Sequence, residues 1–167
     1  MYAAIQQMAK MLRNLDNWMT KAEAHAKTKN FDWNNFANLR LAPDMFPFTK
    51  QVQSACDSAK FAAAYLTGKE APKHPDTETT MQELRARIQT CLNWLETVNE
   101  KDFDGWQDRK VAPAWAQGKW FKGDVYLFQA GMPNFYFHVT TAYDILRHAG
   151  VDIGKMDYMG NVPMNNP

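Results

Sequence analysis

Apolar residues recur at alternating steps of three and four along four segments of the chain, which is the spacing of a buried helix face. The first two stripes are Ile5, Met8, Leu12, Leu15, Met19, Ala22 and Ala26, followed by Phe48, Val52, Ala55, Ala59, Ala62 and Leu66. The spacing predicts one helix over about 2–28 and a second that opens at Asp44 or Pro47 and ends at Gly68. The alanines of the second stripe would let a neighbouring helix approach closely.

The third and fourth stripes have recognisable helix ends. Thr80 and Glu83 have the three-residue spacing of a capping box, which predicts the start of a third helix. Pro133 is a favoured first-turn residue and Gly150 a favoured stop, so a fourth helix is predicted between them. The stripes of these two helices are Leu84, Ile88, Cys91, Leu95 and Val98, then Phe135, His138, Val139, Ala142, Ile145, Leu146 and Ala149. The pattern predicts an all-α four-helix bundle, with residues 1–167 as a single domain.

The segments outside these helices differ in character. The polar connection between the second and third helices contains His74, which we expect to be solvated. The connection from about 99 to 132 contains seven aromatic residues, and leaving each ring in water would forfeit about 1.5 to 3 kcal/mol. We therefore expect this connection to fold across the bundle, with "KWFKGDVYLF" as a short hairpin or an extra helical turn. The tail "MDYMGNVPMNNP" is predicted to be irregular and to lie on the surface.

The charge balance and the apolar runs of the chain limit which binding partners and which compartment are expected. Nineteen Lys and Arg residues balance 18 Asp and Glu residues in 167 positions, so nothing favours nucleic acid or an anionic membrane as a partner. The chain has neither a secretory signal pattern nor an apolar run of membrane-spanning length, which predicts a cytoplasmic protein. Cys56 and Cys91 lack metal or redox spacing and are interpreted as small core residues.

Motifs for the enzyme classes that are easiest to recognise are missing, because the chain has no Gly-rich phosphate loop, GxSxG, HExxH or CxxC. Whether the protein is an enzyme stays open on this evidence. The unusual residue is His138, which stands on an apolar helix face where an aliphatic residue is the ordinary choice. Three interpretations remain: a hydrogen-bonded core histidine, part of a metal-free ligand pocket, or a metal ligand.

Two segments carry a resemblance to a known family. "RLAPDMFPFTKQVQSACDSAK" at 40–60 and "PNFYFHVTTAYDILRHAGVDIGKMDYMG" at 133–160 resemble an uncharacterised bacterial family of the DinB-like, YfiT-type superfamily, over nearly the whole chain. The resemblance implies a homodimeric four-helix bundle with a long connection before the last helix and a central pocket. Known members hold a divalent metal with three histidines, one on the second helix and an HxxxH pair on a later helix, and some are thiol-dependent transferases or isomerases.

The histidine pattern of that superfamily is only partly present. Aligning the end of the fourth helix, 146–150, places His138 on the second histidine of the pair and Asn134 on the first, while Gln51 is the nearest match on the second helix. One imidazole and two amides suit zinc, nickel or iron poorly. We therefore expect no metal and no cofactor, and a homodimeric binding or interaction module that takes a small molecule near His138, Asn134 and Gln51. The alternative is a metal- or thiol-cofactor-dependent transferase with a nonstandard site around His138.

Overall fold

The computed structural model describes residues 1–165, and within this range helices dominate. The α-helices are α1 (Tyr2–Lys29), α2 (Phe48–Thr67), α3 (Met81–Leu95), α4 (Gly123–Tyr126), α5 (Met132–His148) and α6 (Lys155–Met159). Short 3-10 turns occupy Trp33–Asn38, Glu100–Phe103, Trp106–Asp108 and Ala114–Ala116, and the two strands are β1 (Lys110–Val111) and β2 (Phe121–Lys122). The long helices α1, α2, α3 and α5 form the body of the all-α fold, as the sequence predicted.

The four predicted apolar stripes form the core between these helices. Helix α2 packs against both α3 and α5, and α1 contacts the other three long helices. Every apolar residue of the stripes is buried except the partly exposed Ala149. Cys56 and Cys91 are both buried, as predicted, and the Cys91 thiol donates to the Cys56 carbonyl at 3.4 Å between α3 and α2.

Local signals fixed most helix ends correctly. The Thr80 hydroxyl accepts from the Glu83 N–H at 3.2 Å, and the Glu83 carboxylate accepts from the Thr80 N–H at 2.9 Å, so the predicted capping box is present. Of the two predicted openings of the second helix, Pro47 is the residue that precedes α2. Gly68 ends that helix with a φ of 79°, a left-handed conformation that glycine adopts without strain.

The last long helix, α5, begins at Met132 as predicted near Pro133, but further helical backbone precedes it. Helical backbone starts at Gly123, passes through a π-helical turn at Leu127–Gly131 and continues into α5, so Pro133 lies inside the first turn of α5 rather than at the start of the helical segment. The segment "KWFKGDVYLF" contains both predicted alternatives, because β2 pairs antiparallel with β1 before α4 begins. Gly123 permits this transition, since a Cβ there would lie 1.9 Å from the Trp106 carbonyl oxygen.

One expectation about the aromatic connection and one about the tail need correction. The aromatic connection folds over one end of the bundle and buries Phe103 and Tyr126, yet Trp115, Trp120 and Phe128 keep more than half of their surface in solvent.

The tail is not wholly irregular, because it contains α6, and the Tyr158 ring stacks on Trp18 of α1 with centroids 5.5 Å apart. Asn166 and Pro167 of that tail lie outside the described residues. No helix among residues 1–165 is long and apolar enough to cross a bilayer.

Candidate functional site

A cavity of about 680 Å³ lies between α2, α5 and the aromatic connection. We call it the α2–α5 cavity, and its lining residues are Ser54, Asp57, Ser58, Phe61, Tyr65, Ala114, Trp115, Tyr126, Gln129, Ala130, Gly131, Pro133, Asn134 and His138. Its volume falls within the range of small-molecule sites, about 300 to 1,000 Å³. Helices α2 and α5 run antiparallel along it, because Gln51 bonds His138, whereas Ser58, farther along α2, bonds Asn134, which comes earlier on α5.

His138 faces the cavity with a fixed hydrogen-bonding polarity. The Gln51 amide donates from Nε2 to the Phe46 carbonyl at 3.1 Å, so its Oε1 is the atom that faces His138 Nδ1 at 2.7 Å. An amide oxygen can only accept, so Nδ1 must carry the proton. His138 Nε2 is therefore left with its lone pair, and no residue in 1–165 donates to it.

Asn134 is oriented by a second chain of hydrogen bonds. The Ser58 hydroxyl donates to the Ser54 carbonyl at 2.7 Å, so its remaining capacity is to accept, and it accepts from Asn134 Nδ2 at 2.8 Å. The Asn134 amide is thereby turned so that its Oδ1 has no donor from the described part of the chain. Asn134 and His138 lie one turn apart on α5, so both present acceptor atoms at the same end of the cavity.

Burial keeps His138 in its neutral form. Only 7% of the residue is exposed, and burial lowers its pKa below the usual value, with a further lowering from the nearby Lys50 charge. At neutral pH the imidazole is therefore uncharged, which agrees with the tautomer that Gln51 imposes. The Nε2 lone pair is available to a hydrogen-bond donor in the cavity.

The other end of the cavity is aromatic. The rings of Phe61 and Tyr65 stack with centroids 5.7 Å apart, and Tyr65 meets Tyr126 edge to face at 5.5 Å. Trp115 extends this wall from the aromatic connection. Ser54 and Tyr65 lie eleven residues apart on α2, so the lining residues of that helix span about 16 Å, with the polar residues before Phe61 and the aromatic ones from Phe61 onward. The cavity is therefore amphipathic along its length.

Asp57 ties the cavity wall to a buried ionic network on its far side. Its Oδ1 accepts from Arg87 at 2.7 Å and lies 2.7 Å from the Lys60 ammonium. Arg87 of α3 also pairs with Asp76 at 2.7 Å and with Glu78 at 3.0 Å, while its side chain is only 1% exposed. The network joins α2, α3 and the connection between them.

His74 belongs to this network, and the prediction that it is solvated was wrong. Its side chain is 9% exposed, and Nδ1 lies 2.8 Å from the ammonium of Lys60, which is itself 2% exposed. Because an ammonium can only donate, Nδ1 accepts and Nε2 carries the proton. The connection folds back on α2 and buries the imidazole, which the polar composition of that segment did not indicate.

Of the predicted site residues, His138 and Asn134 line the cavity, whereas Gln51 stands behind His138 and orients it. The sequence interpretation noted Asp57 only as a further polar group of the second helix and missed Ser54 and Ser58, and these three residues complete the polar end on α2. The sequence does contain a pattern that could have identified them. Residues 54, 57 and 58 lie at helical spacing from Phe61 and Tyr65, and together they form a stripe beside the alanine stripe.

The donor atoms at this end do not fit a metal centre of the kind that the superfamily resemblance implies. His138 is the sole imidazole of the α2–α5 cavity, and the Gln51 oxygen is already used by His138 Nδ1. Within residues 1–165, no three His, Cys, Asp or Glu side chains are grouped so that they could hold a metal ion. Zinc, nickel and iron favour imidazole, thiolate and carboxylate ligands, so an amide-rich site with one imidazole is unsuited to them.

The helical bundle, its long aromatic connection and the cavity between α2 and α5 define a DinB-like protein. The chain belongs to the family described as a domain of unknown function, DUF1993, whose pattern it matches over residues 1–159. It is also similar to a DinB family member protein from Shewanella denitrificans, known from a crystal structure at 1.83 Å resolution. The two chains are 46% identical with a TM-score of 0.93, and the match covers 98% of this chain and 93% of the other. No curated protein matches this chain.

Proposed function

We propose that this protein is a cytoplasmic, single-domain, homodimeric binding module that takes a small amphipathic molecule into the α2–α5 cavity without a bound metal. The observation that carries this proposal is the pair of hydrogen-bond chains that orient His138 and Asn134. A side chain that only fills a core does not need a free polar atom held toward a cavity. Ligand sites, in contrast, use a few fixed polar groups in an apolar cavity.

The small number of strong ligands supports the metal-free form of the proposal. Metal-bound histidines commonly have a hydrogen-bond acceptor behind the ring, and Gln51 would serve as one, but the remaining ligands would have to be Asn134, water and the single carboxylate of Asp57, which is already paired with Arg87 and Lys60. A site with so few strong donors binds a metal weakly. We therefore propose that the imidazole serves as a hydrogen-bond acceptor for a ligand.

Fragment screening by protein-detected NMR tests the binding proposal. We expect fragments with an apolar ring and one polar group to shift the signals of Ser58, Asn134 and Tyr126. The His138→Leu variant should lose these shifts, while His148→Leu, a change at an exposed position on the same helix, should retain them. If a diverse library leaves the cavity signals unmoved in the wild-type protein, the binding proposal is wrong.

Metal analysis separates this proposal from the metal- or thiol-cofactor-dependent transferase. We expect purified protein to carry background levels of zinc, nickel and iron before and after a chelator. About one equivalent of metal that disappears in His138→Leu would favour the transferase instead. A screen with bacillithiol, mycothiol and glutathione covers the metal-free version of that rival.

The homodimer is supported by the superfamily resemblance and by exposed apolar side chains on the last helical segment. Val125, Phe128 and Phe137 are each more than 40% exposed, and aromatic residues are enriched at interfaces. We propose a second copy of this chain as the partner, in the two-fold arrangement that is commonest for such pairs. Light scattering should give a particle of twice 19.2 kDa, and a monomer at high micromolar concentration would refute the dimer.

A further inference from the structure

Three side chains at the polar end of the α2–α5 cavity present acceptor atoms, beside the Ser54 hydroxyl, which can donate or accept. His138 Nε2 and Asn134 Oδ1 are acceptors because the hydrogen bonds behind them use the donating atoms of both side chains. Asp57 adds a third acceptor, because Arg87 and Lys60 both contact Oδ1, and no described residue donates to Oδ2. A ligand group placed among these three atoms must therefore donate hydrogen bonds.

The charge at the cavity wall has a definite sign as well. Of the described lining residues, Asp57 is the one with a formal charge, since His138 is neutral. The balancing cations of Lys60 and Arg87 do not line the α2–α5 cavity and lie on the far side of the carboxylate. A ligand in the cavity therefore meets the carboxylate before it meets the cations behind it.

The aromatic end favours the same kind of ligand. Four aromatic side chains, Phe61, Tyr65, Tyr126 and Trp115, line the wall beyond the acceptors. These rings accommodate the flat apolar body of a ligand whose nitrogen lies among the acceptors. The hydroxyls of Tyr65 and Tyr126 make no hydrogen bond with residues 1–165, so they remain available to the far end of a longer ligand.

We propose that the ligand class of this cavity is a small organic amine, bound as the ammonium with its nitrogen at Asp57, Asn134 and His138 and its apolar body between the aromatic rings. This inference rests on the proposed binding function and adds the ligand class to it. Carboxylates and phosphates are disfavoured, because they would place acceptors against acceptors and a negative charge against Asp57.

Three probes of nearly equal shape test the class by calorimetry at pH 7.5: 2-phenylethylamine, 2-phenylethanol and 3-phenylpropionate. We expect the amine to bind at least about tenfold more tightly than the alcohol, because a charge-assisted hydrogen bond is worth more than a neutral one. The carboxylate should bind weakest. Equal affinity of the amine and the alcohol, tighter binding of the carboxylate, or no binding of the amine would each overturn the ammonium proposal.

A pair of matched variants tests whether Asp57 supplies the charge. In Asp57→Asn, Arg87 and Lys60 require the amide oxygen, so the NH₂ group must turn to the cavity and replace an acceptor by a donor. Amine affinity should then fall about tenfold or more while carboxylate affinity rises. Asp76→Asn is the control, because Asp76 also pairs with Arg87 at 2.7 Å but does not line the cavity.

The two variants and the screen distinguish the possible failures. If Asp57→Asn and Asp76→Asn change amine affinity equally, the effect is one of stability and the assignment to Asp57 is wrong. If the amine fails to bind while other fragments shift Ser58 and Asn134, the ligand class is wrong and the binding function stands. If no fragment of any charge shifts these residues, the binding function itself has failed.

Discussion

Replacing Arg87 by Met should destabilise the protein more than any change at a surface ion pair. The guanidinium contacts Asp57, Asp76 and Glu78 from a position that is 99% buried. Removing one partner of a buried ion pair costs about 3 to 5 kcal/mol, because the remaining charge stays buried without compensation. Asp57 would keep Lys60 and Asp76 would keep Lys50. Glu78 is the carboxylate left with no cation, so we expect a loss near the lower limit, about 3 kcal/mol.

Urea unfolding followed by circular dichroism measures this loss, with Arg85→Met as the matched control. Arg85 lies on the same helix and also has three partners, Asp16, Glu23 and Thr20, but its side chain is 26% exposed. The control should lose about 1 kcal/mol or less. Adding Glu78→Gln to Arg87→Met should restore part of the loss, since the unpaired charge is then removed. Equal losses for the two arginine variants, or no restoration, would refute the reasoning from burial.

Two further predictions concern the core and the pH dependence of stability. Leu15→Ala should cost about 2 to 5 kcal/mol in the same assay because Leu15 is fully enclosed, whereas Asn17→Ala, at an exposed site, should cost less than about 0.5 kcal/mol. Burial and the charges of Lys60 and Arg87 lower the pKa of His74, so its neutral form is favoured by folding. Its contribution is present in full above about pH 6.5 and is lost as the pH falls through the folded-state pKa. His74→Gln should therefore lose less stability between about pH 7.5 and pH 5.5 than the wild type, and an unchanged loss would contradict the assignment.

The helices could be predicted because their signals are local. Each stripe repeats every three or four residues, and the capping box from Thr80 to Glu83 spans only four residues of sequence. The start of α5 at Met132 lies one residue before the predicted Pro133, because proline is favoured in a first helical turn, whereas the π-helical turn before it was not predicted. The α6 turn was missed because its support comes from Trp18, about 140 positions away in sequence.

The ionic network was beyond sequence reasoning for the same physical reason. Arg87 takes its partners from three places in the chain, 57, 76 and 78, and no periodic pattern relates those positions. In the sequence, a helical arginine that will be buried cannot be distinguished from a solvated one, because its partners are brought to it only by the fold. His74 was misjudged in the same way, since a polar connection with prolines is typical of an exposed loop, and burial of its imidazole depends on Lys60 from another element.

The hydrogen-bonding character of the site depends more on the residues that hold His138 and Asn134 from behind than on which residues line the cavity. Sequence reasoning identified His138 by its place on an apolar helix face and Asn134 by the family resemblance, and neither observation distinguishes a metal site, a ligand pocket and a satisfied core. The polarity of both side chains is set by Gln51 and Ser58, which in turn are set by the Phe46 and Ser54 carbonyls. Because both carbonyls can only accept, the Gln51 amide and the Ser58 hydroxyl must donate toward them and accept on the side that faces His138 and Asn134. For this reason the preference for donors can be read from the hydrogen-bond chains, and not from the residue types alone.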